Sequence, residues 1–278
     1  MMCNYPSHFY RYRSLSGEAA VYVEKIICHS ELYFSKPSTF NDPFDCRPSF
    51  LFEASDKEKE QYCDNLHQKY SPDLNCEQRH QSVVSMLKDW ESGPEVYKRV
   101  QQLHTKRITE EIGVLCFSSV KDDILMWSHY ADSHRGICLE FDSSSEFFKN
   151  ACQVKYLSER PRINPFRQNE GEMMEAALLS KADHWMYEQE WRLIHYTKGA
   201  GVYKFPPEAL KGVILGAQIS LSDKETVLGW IKNRTYPIKL YYSSPCNINF
   251  SLNIEEVKID SKVSQRGRLG CRRKPNIN

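Results

Sequence analysis

The 278-residue sequence has no apolar run near the roughly 18–20 residues that a membrane-spanning helix requires. Its opening stretch, Met1 to Ser14, is aromatic and basic without an apolar segment, so no export signal is expected and no membrane role follows. The ten cysteines are irregularly spaced and include no Cys-x-x-Cys. That pattern predicts reduced thiols in a cytoplasmic protein and excludes a disulfide framework. Gly-x-Gly-x-x-Gly, a P-loop and the Gly-x-Ser-x-Gly elbow are also missing, which removes the usual sequence signs of Rossmann, P-loop and α/β-hydrolase chemistry. Excess charge of one sign is lacking too: 37 Lys and Arg face 36 Asp and Glu, and with 12% aromatic residues the chain favours collapse over disorder.

That balance conceals an asymmetry. Lys258, Lys262, Arg266, Arg268, Arg272, Arg273 and Lys274 are opposed only by Asp260, so a basic C-terminal end follows an acidic body. Such an end either contacts nucleic acid or only solubilises the chain. Residues 53–112 differ again, with 21 charged residues, one glycine and two prolines. Ser55-x-x-Glu58 and Ser92-x-x-Glu95 read as capping boxes, and the spacing predicts helices over about 56–70, 76–90 and 94–112. Within them Cys63-x3-His67 and Cys76-x3-His80 each place a Cys and a His on one helix face; they are read as helix-surface residues, with a four-ligand zinc site as the alternative.

Elsewhere strands dominate. Strands are expected at His8–Arg13, Glu31–Ser35, Val114–Ser118, Gly136–Phe141, Val154–Leu157, Glu190–His195, Gly212–Gly216, Pro237–Tyr242 and Phe250–Ile259. Helices are expected at Glu18–Cys28, Asp122–Tyr130 and Glu172–Trp185, with another started by Ser222-x-x-Glu225. No strict βαβ rhythm appears, so the reading is a single α+β domain over residues 1–260 with a mixed or antiparallel sheet, a helical insertion at 53–112, and a flexible basic tail at 261–278.

Four clusters can carry chemistry. Tyr10-Arg11-Tyr12-Arg13 alternates aromatic and cationic side chains; a guanidinium grips phosphate or ribose oxygens while a ring stacks on a base. Phe40-Asn41-Asp42-Pro43-Phe44-Asp45 is turn chemistry or a cation site. Cys116-Phe117-Ser118-Ser119 with Met126-Trp127-Ser128-His129-Tyr130 can line a pocket, and Ser118 or Ser128 with His129 is a conceivable nucleophile pair. Trp185-Met186-Tyr187-Glu188-Gln189-Glu190-Trp191-Arg192 sets two carboxylates among aromatic rings. There they stabilise a developing cation more strongly than in water, or else simply bridge to Arg192.

Taken together and in this order, Tyr-Arg-Tyr, Phe-Asn-Asp-Pro-Phe-Asp, Met-Trp-Ser-His-Tyr-Ala-Asp and Trp-x-Tyr-Glu-x-Glu-Trp-Arg resemble a bacterial family catalogued as domain of unknown function 2971, over roughly residues 8–220. The motif order is also similar to the ADP-ribosyltransferase fold, a split β-sandwich that binds NAD in a cleft. That resemblance implies NAD as substrate, held by Arg11 and Tyr12, with Ser118 or Ser119 on the nicotinamide side and Tyr130 stacking on its ring. It implies Glu190 at the ribose, stabilising the oxocarbenium, and Glu188 orienting or deprotonating the acceptor. The acceptor would be a macromolecule, nucleic acid or protein, and a toxin or phage-defence effector of this kind suits an inhibitory partner protein. Two alternatives stand beside it: a non-catalytic module binding nucleic acid or protein, and a metal-dependent nuclease or hydrolase using Asp42, Asp45 and Glu190.

Overall fold

The computed structural model describes residues 5–258 apart from Ser92. The basic segment 261–278 and the Ser92 capping residue therefore lie outside the described residues. The chain opens with β1 (His8–Arg13), turns through Gly17 into α1 (Glu18–His29) and returns as β2 (Glu31–Phe34). Val23, Ile26 and Ile27 give α1 its buried stripe, and the helix stops where Ser30 adopts left-handed backbone and donates its N–H to Lys25 O. After a short strand, β3 (Ser49–Phe50), come the charged helices α2 (Asp56–Tyr70), α3 (Cys76–Glu91) and α4 (Pro94–Lys106). The Ser55 box forms reciprocally: Ser55 Oγ accepts from Glu58 N at 3.3 Å, and Glu58 Oε2 accepts from Ser55 N at 2.7 Å. α4 gives way to a π-helical turn over Arg107–Glu111, and Trp90, Val100 and Phe166 form a small core of their own.

The remaining elements are β4 (Gly113–Ser118), α5 (Ile124–Tyr130), β5 (Ile137–Asp142), β6 (Cys152–Gln153), β7 (Lys155–Leu157), β8 (Arg162–Ile163), α6 (Glu170–Leu178), β9 (Ser180–Ala182), β10 (Glu190–His195), β11 (Gly201–Lys204), β12 (Leu210–Leu215), α7 (Leu221–Lys232), β13 (Lys239–Pro245) and β14 (Leu252–Val257). Two sequence expectations need correction. The helix expected to reach Trp185 ends at Leu178, because Ser180–Ala182 pairs in parallel with Lys155–Leu157 and Asp183–Glu188 winds as a 3-10 turn. Pairing with a distant strand overrides the helical propensity of this Met-, Ala- and Leu-rich stretch. The cap of α7 is Ser220 with Asp223, two residues before the expected pair: the sequence holds two overlapping Ser-x-x-acid frames, and only Ser220 has the extended backbone of a cap.

Eight strands form one mixed sheet in the order β14-β13-β12-β5-β1-β4-β10-β6. Every neighbouring pair is antiparallel except β12 with β13. On one face Phe9, Leu115, Phe117, Leu139, Phe141 and Val213 pack under α1 and under Val227 and Ile231 of α7. On the other, Tyr10, Tyr12, Cys138 and Ile214 pack under Met126 and Trp127 of α5. Burying both faces explains why β5 reads Ile-Cys-Leu-Glu-Phe rather than as a clean alternation.

One irregularity positions everything that follows. β1 pairs with β5 along its whole length, and β4 pairs with β10 along its own. Between β1 and β4 the only paired residues are Tyr10 and Ser118. Beyond that point the strands part, and the start of β4 is taken by Ser35, which exchanges two 2.9 Å backbone hydrogen bonds with Val114. The sheet is thus open along the Arg11–Arg13 half of β1. Among the described residues, no helix is long and apolar enough to cross a membrane.

Candidate active site

A cavity of about 380 Å³ fills the opening between β1 and β4. This is within the range of small-molecule sites. Tyr10, Arg11, Tyr12 and Arg13 line it from β1, Cys116 and Ser118 from β4, His129 and Tyr130 from α5, and Lys181, Glu188 and Glu190 from the segment leading into β10.

Its floor is a buried ion network. Glu190 Oε1 accepts from Arg192 Nε at 2.7 Å, and its Oε2 accepts from Arg192 Nη2 at 3.0 Å and Lys181 Nζ at 3.1 Å. Asp45 Oδ2 accepts from Arg192 Nη2 at 2.7 Å. Glu188 Oε1 accepts from the Tyr130 hydroxyl at 2.6 Å, and its Oε2 accepts from Lys181. All five charged groups are buried, Arg192 completely. Three carboxylates therefore share two cations, and the two glutamates do not share them equally. Burial favours protonation of Glu190, but Arg192 and Lys181 outweigh it and hold that carboxyl well below the usual range. Glu188 is also buried, with the charge of Glu190 beside it, and Lys181 and Tyr130 compensate only in part, so it is pushed up to about 7. The surroundings hold one carboxyl down and push the other up, a division typical of sites that move protons.

The wall opposite is cationic. Arg11 is 9% exposed, donates through Nη1 to Cys116 O, and lies 5.6 Å from the centre of the Phe117 ring. Neither Arg11 nor Arg13 has a carboxylate partner among the described residues, and the Nε of each is buried without an acceptor. Burial, and for Arg11 the neighbouring Arg13, lower both guanidinium pKa values. Two neighbouring, poorly compensated cations lining a cavity suit an anionic ligand.

Of the residues that the resemblance singles out, Arg11, Tyr12, Ser118, Tyr130, Glu188 and Glu190 line one cavity, and Ser119 lies outside its lining. Ser119 Oγ instead contacts Gln189. Ser118 is committed structurally: its hydroxyl donates to Glu188 O at 2.6 Å and accepts from Val120 N at 3.1 Å, fixing the turn that carries the glutamates. The Tyr12 hydroxyl donates to Val120 O at 2.8 Å and its ring packs edge-on against Trp127, so its polar end is already used. Neither serine-histidine pair forms, because Ser128 donates to Ile124 O and the His129 ring meets the Tyr187 hydroxyl.

The carboxylate set proposed for a metal does not assemble either. Asp42 caps the turn at Phe44 N, and Asp45 and Glu190 are tied to Arg192. Cys63, His67, Cys76 and His80 likewise form no ligand cluster: no group of three or more His, Cys, Asp or Glu able to hold a metal occurs among the described residues. Sequence reasoning missed Lys181 as a site residue, since it sits in what reads as a helix interior. Arg13 was visible as the same-face neighbour of Arg11.

Residues 126–193 match the family model described as a protein of unknown function, DUF2971. The DUF2971 stretch runs from α5 through β10 and so supplies Tyr130, Lys181, Glu188, Glu190 and Arg192, the acidic half of the cavity. Arg11, Arg13 and Asp45 lie outside that match. No curated protein and no solved structure matches the chain.

Proposed function

We propose that the protein is an NAD-dependent ADP-ribosyltransferase acting on a macromolecular acceptor, its sheet opening serving as the cleft of a split β-sandwich. One observation carries this reading: an arginine of β1, a serine ending β4 and a Glu-x-Glu entering β10, far apart in sequence, surround a single cavity where the sheet parts. The residues present fit the ligand, because Arg11 and Arg13 line the cavity without a carboxylate partner among the described residues and so bring cationic charge to a diphosphate. NAD supplies an ADP-ribosyl group whose anomeric carbon gains positive charge as neutral nicotinamide leaves.

The chain's own groups divide the work. Glu190 holds a fixed negative charge in a site of low dielectric, which favours a nearby developing cation. Glu188, poised near neutrality, accepts the acceptor's proton. Lys181 keeps the two carboxylates from repelling one another, and the Tyr130 hydroxyl holds Glu188 in place. Ser118 positions the Glu188 turn through the backbone and leaves the chemistry to the side chains.

The test is incubation of the purified protein with adenylate-labelled NAD and separate protein, RNA and DNA fractions. Label is expected in one fraction together with released nicotinamide; neither product, with no shift in melting temperature on adding NAD, rejects the reading.

Arg13 offers a second check. Removing a poorly compensated cation relieves a folding cost and removes a ligand contact together. Arg13→Met is therefore expected to raise the melting temperature of the free protein by about 2 °C. The same change weakens NAD binding by about tenfold or more. Calorimetric titration and thermal melts read the two effects; lower stability with unchanged affinity refutes the ligand role of Arg13.

A further inference from the structure

A second cavity, of about 270 Å³, lies between α1 and β2. Arg13 and Ser35 line both it and the main cavity. Those two residues mark the far end of the sheet opening: Arg13 closes β1, and Ser35 is where the chain after β2 bridges to β4 in place of β1. The two cavities thus share part of their walls.

The second cavity offers different chemistry. Tyr22 of α1 and Tyr33 of β2 flank it with ring centroids 6.5 Å apart and planes 47° from parallel. Both rings are unusually open, at 50% and 43% exposure, and belong to none of the buried clusters. Lys25 and Glu31 complete the rim. Two solvated aromatic faces beside a cation and a carboxylate suit a planar heterocycle with a hydroxylated sugar, since every nucleobase presents a π-face and exocyclic or ribose donors. Arg13 lines this cavity and the main one, and Arg11 lines the main cavity together with Glu188 and Glu190.

We propose that the α1–β2 cavity binds the purine nucleoside half of a dinucleotide, with the diphosphate on Arg11 and Arg13; this rests on the reading of the main cavity as the NAD site. Tyr22 and Tyr33 hold the base, Glu31 accepts from the ribose hydroxyls or the base amine, and Lys25 adds a cation near the phosphates. The two cavities then divide one ligand: the reacting half lies over Glu188 and Glu190, and the binding half lies across Arg13. Binding energy gained in the second cavity is remote from the reacting carbon and positions it.

The test is titration calorimetry of the full-length protein with ADP, and separately with nicotinamide mononucleotide, which lacks the adenosine half. ADP is expected to bind the wild-type protein, and the Tyr22→Ala/Tyr33→Ala double variant to bind it about tenfold more weakly or worse, given the usual cost of losing base stacking. Nicotinamide mononucleotide should bind both proteins alike, which shows that the variant remains folded. ADP that fails to bind wild type at millimolar concentration, or binds the double variant equally well, overturns the assignment. NAD turnover in the same samples separates the two readings. Cleavage with an unchanged KM in the double variant rejects the adenosine site and keeps the transferase; ADP binding as expected without any cleavage keeps the adenosine site and rejects the transferase.

Discussion

Glu188→Gln is expected to lower ADP-ribosyl transfer by about 10²–10⁴-fold, the usual contribution of a positioned general base. NAD affinity should stay within a few-fold of wild type. The substitution preserves volume and still offers the Tyr130 hydroxyl a carbonyl acceptor, and Lys181 keeps Glu190 at 3.1 Å and Asp45 at 3.7 Å. What it removes is a carboxyl pushed up to about 7 by burial and by the charge of Glu190. In the wild type, the rate should therefore rise with pH through about 7 as Glu188 ionises.

Stability should run the other way. A carboxyl raised above its unfolded value favours the folded state fully below that value, and this contribution is lost as pH rises through the folded pKa. The wild-type melting temperature is expected to carry a downward component between pH 5 and 8 that Glu188→Gln lacks. Nicotinamide release and thermal melts across that range measure both effects. A Gln variant with full activity, or one with the same pH profile as wild type, removes Glu188 from the mechanism.

Arg192→Met carries the largest expected effect on stability. The guanidinium is completely buried and its donors reach Glu190, Asp45, the Leu178 carbonyl at 2.8 Å and the Cys46 thiol at 3.3 Å. Methionine is apolar and shorter, so it leaves part of the guanidinium space empty and Lys181 as the one cation of the network for Asp45 and Glu190. Breaking a buried pair in this way costs about 3–5 kcal/mol, or a fall of roughly 10 °C for a chain of this size.

The pH dependence follows from Glu190. Its depressed carboxyl contributes stability above the ordinary carboxylate range and loses it on acidification, so the gap between variant and wild type should be widest near neutral pH and narrow as pH falls. Arg192→Lys keeps the charge without the two-pronged geometry and should fall between them. Denaturant midpoints decide this; a Met variant within 2 °C of wild type would show that Lys181 alone satisfies the three carboxylates.

Much of the site was legible because it is local. Alternation in Tyr10-Arg11-Tyr12-Arg13 marks a strand with cations on one side, and Glu188-x-Glu190 among tryptophans and tyrosines marks carboxylates in an apolar setting. The helices from Asp56 to Lys106 announce themselves by charge, periodicity and the Ser55 cap. Lys181 was not legible. Its neighbours Met173, Met174, Ala177 and Leu178 continue a helical pattern, and nothing nearby in sequence signals that Ser180–Ala182 will instead lie beside Lys155–Leu157. Asp45 read as a turn residue or a metal ligand, and not as an ion-pair partner, because Arg192 lies 147 residues away.

Sequence alone determined most of the long strands and helices and which of them carry arginine or glutamate, since these depend on short-range periodicity and composition. Only the tertiary structure decided that β1 and β4 part after Tyr10, that Ser35 closes the gap, and that Arg13, Lys181, Glu188 and Glu190 face one another across it. Strand register is set by burial and pairing summed over the whole sheet, and that sum is not written in any single stretch of the chain.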